Sequence, residues 1–244
     1  MTRRESVCMV VVALLAWLLS LNGCTASASR ITDYLTGLQP LPADSQPGTL
    51  HVVAGLVVAL PEDEFAKPTT PPQQMLERVA ARVQKALRES PHLVIQRIFP
   101  PITIPAGGKG SLSLERLQGL AKEGNLTAMM VVVPTSQSAR KLRFWPIMEN
   151  QLYVRMDAAL VEVTSGRVLM TEFGQDDYVM AESLDYVGRI SYPRLYYRNF
   201  TFTGPFTVVD GDPQKALGEQ AFNGAADQLG MKLRMRLSPE PPAG

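Results

Sequence analysis

Residues 151–173 read QLYVRMDAALVEV-TSG-RVLMTEF, and this stretch decides the fold class. Leu152, Val154, Met156, Ala158 and Leu160 alternate with other side chains. On an extended chain they share one side, because successive strand residues point to opposite faces. Thr164-Ser165-Gly166 is turn chemistry, and Arg167 to Phe173 returns as the partner strand. The stretch is an antiparallel hairpin.

Outward from the hairpin the pattern changes. Ala128 to Val133 is apolar without alternation, as expected of a central strand covered on both faces. His51 to Leu60 is a β-branched apolar run that stops at Pro61, and Leu93 to Phe99 is a further strand closed by Pro100-Pro101. Between these two, Glu62 to Pro72 reads as a polar, Pro-rich loop. A helix follows, with Thr70 as a cap, Pro71 and Pro72 at its entry, and Leu76, Val79, Val83 and Leu87 on one face. Ser113 caps a short helix carrying Leu114, Leu117 and Leu120 and ending at Gly124. Asp212-Pro213 starts a last helix, whose Ala216, Leu217, Ala221, Ala225, Leu229 and Leu233 keep one face apolar. Gly218, Ala221, Gly224 and Ala225 make that face small enough for close packing on a sheet. The order β-α-β-α-β, an antiparallel portion, then α predicts an α/β (α+β) single domain. Its mixed β-sheet is packed by about three helices, with a C-terminal helix and a long aromatic hairpin or loop insertion.

The N-terminus places this domain in a compartment. Arg3 and Arg4 precede an apolar run, Val7 to Leu21, broken only by Ser20. That is a secretory h-region in length, about half of a stable membrane span. Leu21-Asn22-Gly23-Cys24 resembles a bacterial lipobox, in which the cysteine is acylated and becomes the new N-terminus. The expected boundaries are 1–23 signal peptide, 24–49 lipidated tether, 50–237 globular domain and 238–244 disordered tail. Within the tether, Ile31, Tyr34, Leu35 and Leu38 stand at i, i+3, i+4 and i+7, the spacing of a short helix docking on the body. Cleavage removes Arg3, Arg4 and Glu5 from 24 basic and 23 acidic residues, leaving the mature chain formally neutral. A neutral chain has no overall electrostatic drive toward nucleic acid. Cys8 leaves with the signal and Cys24 carries lipid, so no disulfide or Cys-based metal site is expected. Acyl chains, at about 0.8 kcal/mol per buried methylene, make the anchorage essentially permanent. Thr25 follows the cysteine; by resemblance to well-studied enveloped bacteria, where Asp there retains a lipoprotein at the inner membrane, the outer membrane is expected.

Candidate chemistry is sparse. Ser138-Ala139-Arg140-Lys141 matches the Ser-x-x-Lys pattern of penicillin-recognising enzymes, which needs Ser at a helix start so that Lys one turn on takes its proton. Here the motif follows a strand, in a Ser-rich loop, without Ser-Asp-Asn or Lys-Thr-Gly downstream. Gly107-Gly108-Lys109-Gly110-Ser111 differs from a phosphate loop because Gly110 separates Lys from Ser and Pro105 breaks the preceding strand. His51 and His92 are the only histidines, which leaves no metal-ligand spacing. Glu62-Asp63-Glu64 and Asp176-Asp177 read as solvated loop acids. No enzyme activity and no cofactor are expected.

The segment least like an ordinary domain is Tyr178 to Phe206, with five of the seven tyrosines and with Arg189, Arg194 and Arg198 interleaved. Tyr and Arg are enriched at protein interfaces. Tyr186, Arg189, Tyr192, Arg194, Tyr196, Tyr197 and Arg198 are the candidate partner-binding residues. The competing reading is a hairpin folding its aromatics onto its own domain, which the alternation Phe200-Thr201-Phe202 favours for part of the segment.

Asp33-Tyr34-Leu35, Ile104-Pro105 with Gly107-Gly108, and Met156-Asp157-Ala158-Ala159-Leu160-Val161 carry a resemblance to the rhombotarget lipoprotein family. The resemblance spans most of the mature chain and implies a lipoprotein without established enzymatic activity. More distantly, the order of elements is similar to periplasmic lipoprotein domains of the curli-secretion and penicillin-binding-protein-activator type. The expectation is an outer-membrane lipoprotein facing the periplasm, held by its N-terminal lipid. It would act as a non-catalytic accessory factor for an envelope protein partner in envelope assembly or surface-polymer export, with no nucleic acid and with a homo-oligomer compatible. The alternatives are a periplasmic hydrolase with a loop-assembled site and a self-assembling secretion component.

Overall fold

The computed structural model describes residues 29–39, 52–65, 73–88, 90, 92–105, 110–144, 147–183, 195–198, 207–208 and 213–237. The elements run α1 (Ile31–Tyr34), β1 (Leu35–Thr36), β2 (Val52–Pro61), α2 (Glu62–Phe65), α3 (Gln73–Leu87), β3 (Leu93–Ile98) and β4 (Ile102–Ile104). They continue with β5 (Leu112–Ser113), α4 (Leu114–Gly124), β6 (Ala128–Phe144), β7 (Ile147–Glu162), β8 (Arg167–Ser183), β9 (Leu195–Arg198), β10 (Thr207–Val208) and α5 (Pro213–Leu237). One mixed sheet has the strand order β10-β9-β8-β7-β6-β2-β3, with β4 pairing the end of β2. The β2 strand is parallel to β3 and β6, whereas β6 through β10 form an antiparallel meander. The expected mixed α/β domain is observed.

Strand alternation sorts the core into two layers. Leu152, Val154, Met156, Ala158 and Leu160 join Leu56, Val58, Met130 and Val132 under α3 and α5. The intervening residues Ala159 and Val161 join Val57, Met129, Val131 and Val133 under α1 and α4. The predicted apolar stripe of α3 is buried at Leu76, Val79, Val83 and Leu87, and the side chain of Ser113 caps α4 by accepting from Arg116 N at 3.3 Å. Close packing by small residues is realised at Gly174 of β8. A Cβ there would collide with the Ala225 carbonyl oxygen and the Leu229 amide nitrogen, so α5 lies directly on the strand backbone. No helix among the described residues is long and apolar enough to cross a membrane.

Two sequence expectations need correction. The central strand does not stop at Val133 but runs to Phe144, and β8, the hairpin partner of β7, continues past Phe173 to Ser183. Hydrogen-bonded pairing between strands needs no apolar side chains, and β7 holds both neighbours in register through polar residues such as Ser136, opposite Val154. Pro134 tolerates this because β2 pairs β6 only as far as Val132. Its missing N–H points to the side that β2 has vacated. The second correction concerns Glu62 to Pro72, whose first residues form the helical turn α2 rather than loop.

Candidate functional site

The N-terminal segment docks on the second layer through one buried carboxylate. Asp157 Oδ1 accepts from Arg30 N at 2.7 Å and from Ser29 Oγ at 3.0 Å, and Ser29 Oγ in turn accepts from Ile31 N at 3.3 Å. These bonds satisfy amides at the start of α1, which has no partners of its own there. Arg155, two residues away on the same face of β7, donates to both Asp157 oxygens at 2.8 and 2.9 Å. Asp157 is 1 % exposed and Arg155 5 %, so the pair is a buried ion pair. The bond to Asp157 raises the Arg155 pKa above the ordinary arginine value, and the guanidinium stays charged.

The rest of residues 29–39 lies across the hairpin turn. β1 pairs in parallel with β5, Gln39 N donates to Gly166 O at 2.9 Å, and Val168 N donates to Gln39 O at 3.2 Å. Ile31 is fully buried, with Tyr34, Leu35 and Leu38 packed beside it. Burial raises the Tyr34 pKa above 10.0, and the neighbouring Asp157, Asp63, Glu64 and Asp33 raise it further.

A second buried carboxylate covers the exposed edge of β6. Glu64 Oε2 accepts from Ser136 N at 3.0 Å and from Ser136 Oγ at 2.6 Å. It replaces the strand pairing that β2 no longer offers there. Farther along the same strands, Tyr153 Oη donates to Gln175 Oε1 at 2.7 Å and Gln151 Nε2 to Asp177 Oδ2 at 3.3 Å. Arg155 and Lys232 both stand over the Phe173 ring, at 4.4 and 3.9 Å.

On the opposite side of the sheet, α3 and α5 border an open cleft of about 610 Å³. Arg78, Ala81, Arg82, Lys85, Ala86, Asp227 and Arg234 line it. Arg82 Nη1 donates to both Asp227 oxygens at 3.0 and 2.9 Å, and Arg78 lies 3.8 Å from Glu219.

The sequence-predicted residues fare unevenly. Cys24 with Leu21, Asn22 and Gly23, and Tyr186, Arg189, Tyr192 and Arg194, lie outside the described residues. Tyr196, Tyr197 and Arg198 sit on β9, where Met180, Val179 and Tyr178 of β8 oppose them. Their backbone extends this domain's own sheet. Ser138 and Lys141 are not in a loop; both are on β6, opposite Leu152 and Glu149. The backbone is extended there, so the one-turn helical spacing that Ser-x-x-Lys catalysis needs is absent. Glu64 and Asp176 are buried rather than solvated, and Asp176 lies on strand β8. Gly107, Gly108, Lys109 and His51 lie outside the described residues. Among the described residues, no group of three or more His, Cys, Asp or Glu is placed to hold a metal ion.

Sequence reasoning missed Asp157, Arg155 and Glu64. For the first two a signal existed: charges at i and i+2 share one face of a strand whose neighbours are buried on both sides. For Glu64 there was none, since its partner is 72 positions away.

No protein-family model and no curated protein matches this chain, and the rhombotarget resemblance is not confirmed. Among solved structures, the chain is similar to the PelC dodecamer from Paraburkholderia phytofirmans, with 10 % identity, 74 % of this chain and 88 % of that one covered, and a TM-score of 0.33. It is also similar to lipoprotein GNA1162 from Neisseria meningitidis, with 15 % identity, 51 % and 82 % covered, and a TM-score of 0.31. Protein XCC0632 from Xanthomonas campestris matches with 11 % identity, 83 % and 94 % covered, and a TM-score of 0.35. Likenesses at this level describe a loosely shared arrangement of strands and helices and carry no inference about function.

Proposed function

We propose that this protein is a bacterial envelope lipoprotein, anchored through Cys24 to the outer membrane and acting by binding rather than catalysis. It serves as an accessory factor for an envelope protein partner. The observation that carries the reading is the lipobox Leu21-Asn22-Gly23-Cys24 at the end of an apolar h-region, five positions before Ser29. Ser29 is docked on Asp157, so only five backbone steps separate the acylated residue from the folded domain. At an extended reach of about 3.5 Å per residue, the spacer is at most about 17 Å long. The lipid therefore brings the α1 side of the domain close to the bilayer.

Metabolic labelling with a clickable palmitate analogue tests the anchor in the full-length chain. Label should enter the wild type and not Cys24→Ser, and Cys24→Ser should leave the membrane fraction. Density separation of the two membranes should place the wild type with the outer one. Labelling that survives Cys24→Ser would defeat the reading.

A further inference from the structure

Residues 29–39 are attached to the domain as a separate piece. Their hydrogen bonds and strand pairings to the body end on Gly110, Leu112, Ser113, Asp157, Gly166 and Val168. Ile31 alone is fully buried, with Tyr34, Leu35 and Leu38 packed beside it. The seat beneath them is complete without the segment. Arg155 donates to both oxygens of Asp157, so the carboxylate keeps its countercharge when Ser29 and Arg30 leave. A buried carboxylate left unpaired would hold the segment in place far more strongly than the hydrogen bonds given up here.

The chain joining this segment to the sheet is longer than its path requires. Gln39 bridges Arg167 on the outer edge of β8, and the same row continues through Glu162 and Ala128 to Ala54 of β2. Four strand spacings of about 4.8 Å make that row about 19 Å wide. Residues 40–51 reach about 40 Å at full extension, twice the crossing. Pro40, Pro42 and Pro47 stand in that run, and proline stiffens a connector. A connector longer than its span lowers the effective concentration of a segment at its own seat and brings other seats within reach.

We propose that residues 29–39 seat on a second copy of this chain, in a reciprocal exchange that pairs two anchored molecules. Asp157 of each copy then accepts from Ser29 and Arg30 of the other, and β5 of each pairs with the other's β1. Every bond made within one chain recurs between two, so the exchange needs no new surface. Acylated copies share one plane with the α1 side toward the bilayer, which sets each segment level with its neighbour's seat. That alignment rests on the anchor at Cys24 proposed above.

The test reads which chain a segment seats on. A Cβ built on Gly37 lies 3.9 Å from the Leu114 Cβ, within disulfide range. Gly37→Cys and Leu114→Cys are placed in separate, differently tagged full-length chains, co-expressed and oxidised in the native membrane. A control pair carries Lys122→Cys in place of Leu114→Cys and counts bonds made by chance encounter. The disulfide-linked heterodimer should exceed the control about tenfold. Gly37 has φ +71, which disfavours cysteine, so both substitutions in one chain check that the bond can close. Independently, wild-type protein in dodecyl maltoside should show the mass of two chains by light scattering corrected for detergent. Ile31→Ser should lower that dimer fraction severalfold, with a thermal melt establishing that the domain is folded. A heterodimer yield equal to the control, with the bond closing inside the doubly substituted chain, would overturn the proposal. So would a monomeric wild type, or a dimer that Ile31→Ser leaves intact. Palmitate labelling is read on the same samples. A chain that is unlabelled yet cross-links above the control keeps the exchange and loses only the anchor.

Discussion

The two faces of the sheet solve the same covering problem in different ways. On one face, α3 and α5 lay two long apolar stripes over Leu56, Met130, Met156 and Leu160. Such a cover is held by area removed from water, spread over many residues. On the other face, the cover includes α1, a single turn of four residues, too short to be a stable helix alone. Its position depends on Asp157, which binds Ser29 and Arg30 while paired to Arg155. Distributed burial makes the first face tolerant, whereas on the second one carboxylate fixes the start of α1, with β1 and Gln39 paired beyond it.

The sharpest way to break this contrast is Asp157→Ala. It takes the carboxylate from the buried Arg155 guanidinium and releases the amide of Arg30. A loss of about 3–5 kcal/mol is expected, the range for breaking a buried pair. Hydrogen exchange should show the loss of protection concentrated in residues 29–39, and uniform loss would erase the contrast. Leu229→Ala on α5 should cost about 3 kcal/mol through the cavity it leaves, measured by denaturant unfolding. Protection at residues 29–39 should then fall only as much as elsewhere. Glu64→Ala should cost about 2 kcal/mol, since it leaves the Ser136 amide and hydroxyl buried without this acceptor.

The smallest effect is confined to alkaline solution. The Tyr34 pKa is raised by burial and by surrounding carboxylates, so the folded state holds its phenol proton more tightly than the unfolded chain does. That contribution is fully present below pH 10.0 and fades as the pH rises through the folded pKa. Tyr34→Phe should therefore flatten the fall in stability above pH 10.0, with little change at neutrality. Identical pH profiles for the two proteins would remove Tyr34 from the account of this face.

Legibility followed the range of the interaction. The stripe of α3, the Ser113 cap and the hairpin turn at 164–166 depend on neighbours a few positions away, and periodicity exposes them. The short helix suggested by Ile31, Tyr34, Leu35 and Leu38 stops at Tyr34, with Leu35 on β1, and was visible in part for the same reason. The ends of β6 and β8 were not, because polar residues carry the outer ladder and only the register with β7 keeps them extended. The aromatic segment was legible as unusual, and β9 shows part of it joining the sheet.

By itself, the sequence determined the class of the fold, the order of its main elements and the lipobox-like Leu21-Asn22-Gly23-Cys24 on which the proposed anchor rests. These are encoded in local period, turn chemistry and a short contiguous motif. Only the tertiary structure decided that Asp157 holds a segment 127 positions upstream. The same is true of Glu64 closing the edge of β6, and of two helices gathering four cations into one cleft. Each of these needs residues far apart in the chain to meet, and a one-dimensional pattern carries no record of which distant faces the sheet brings together.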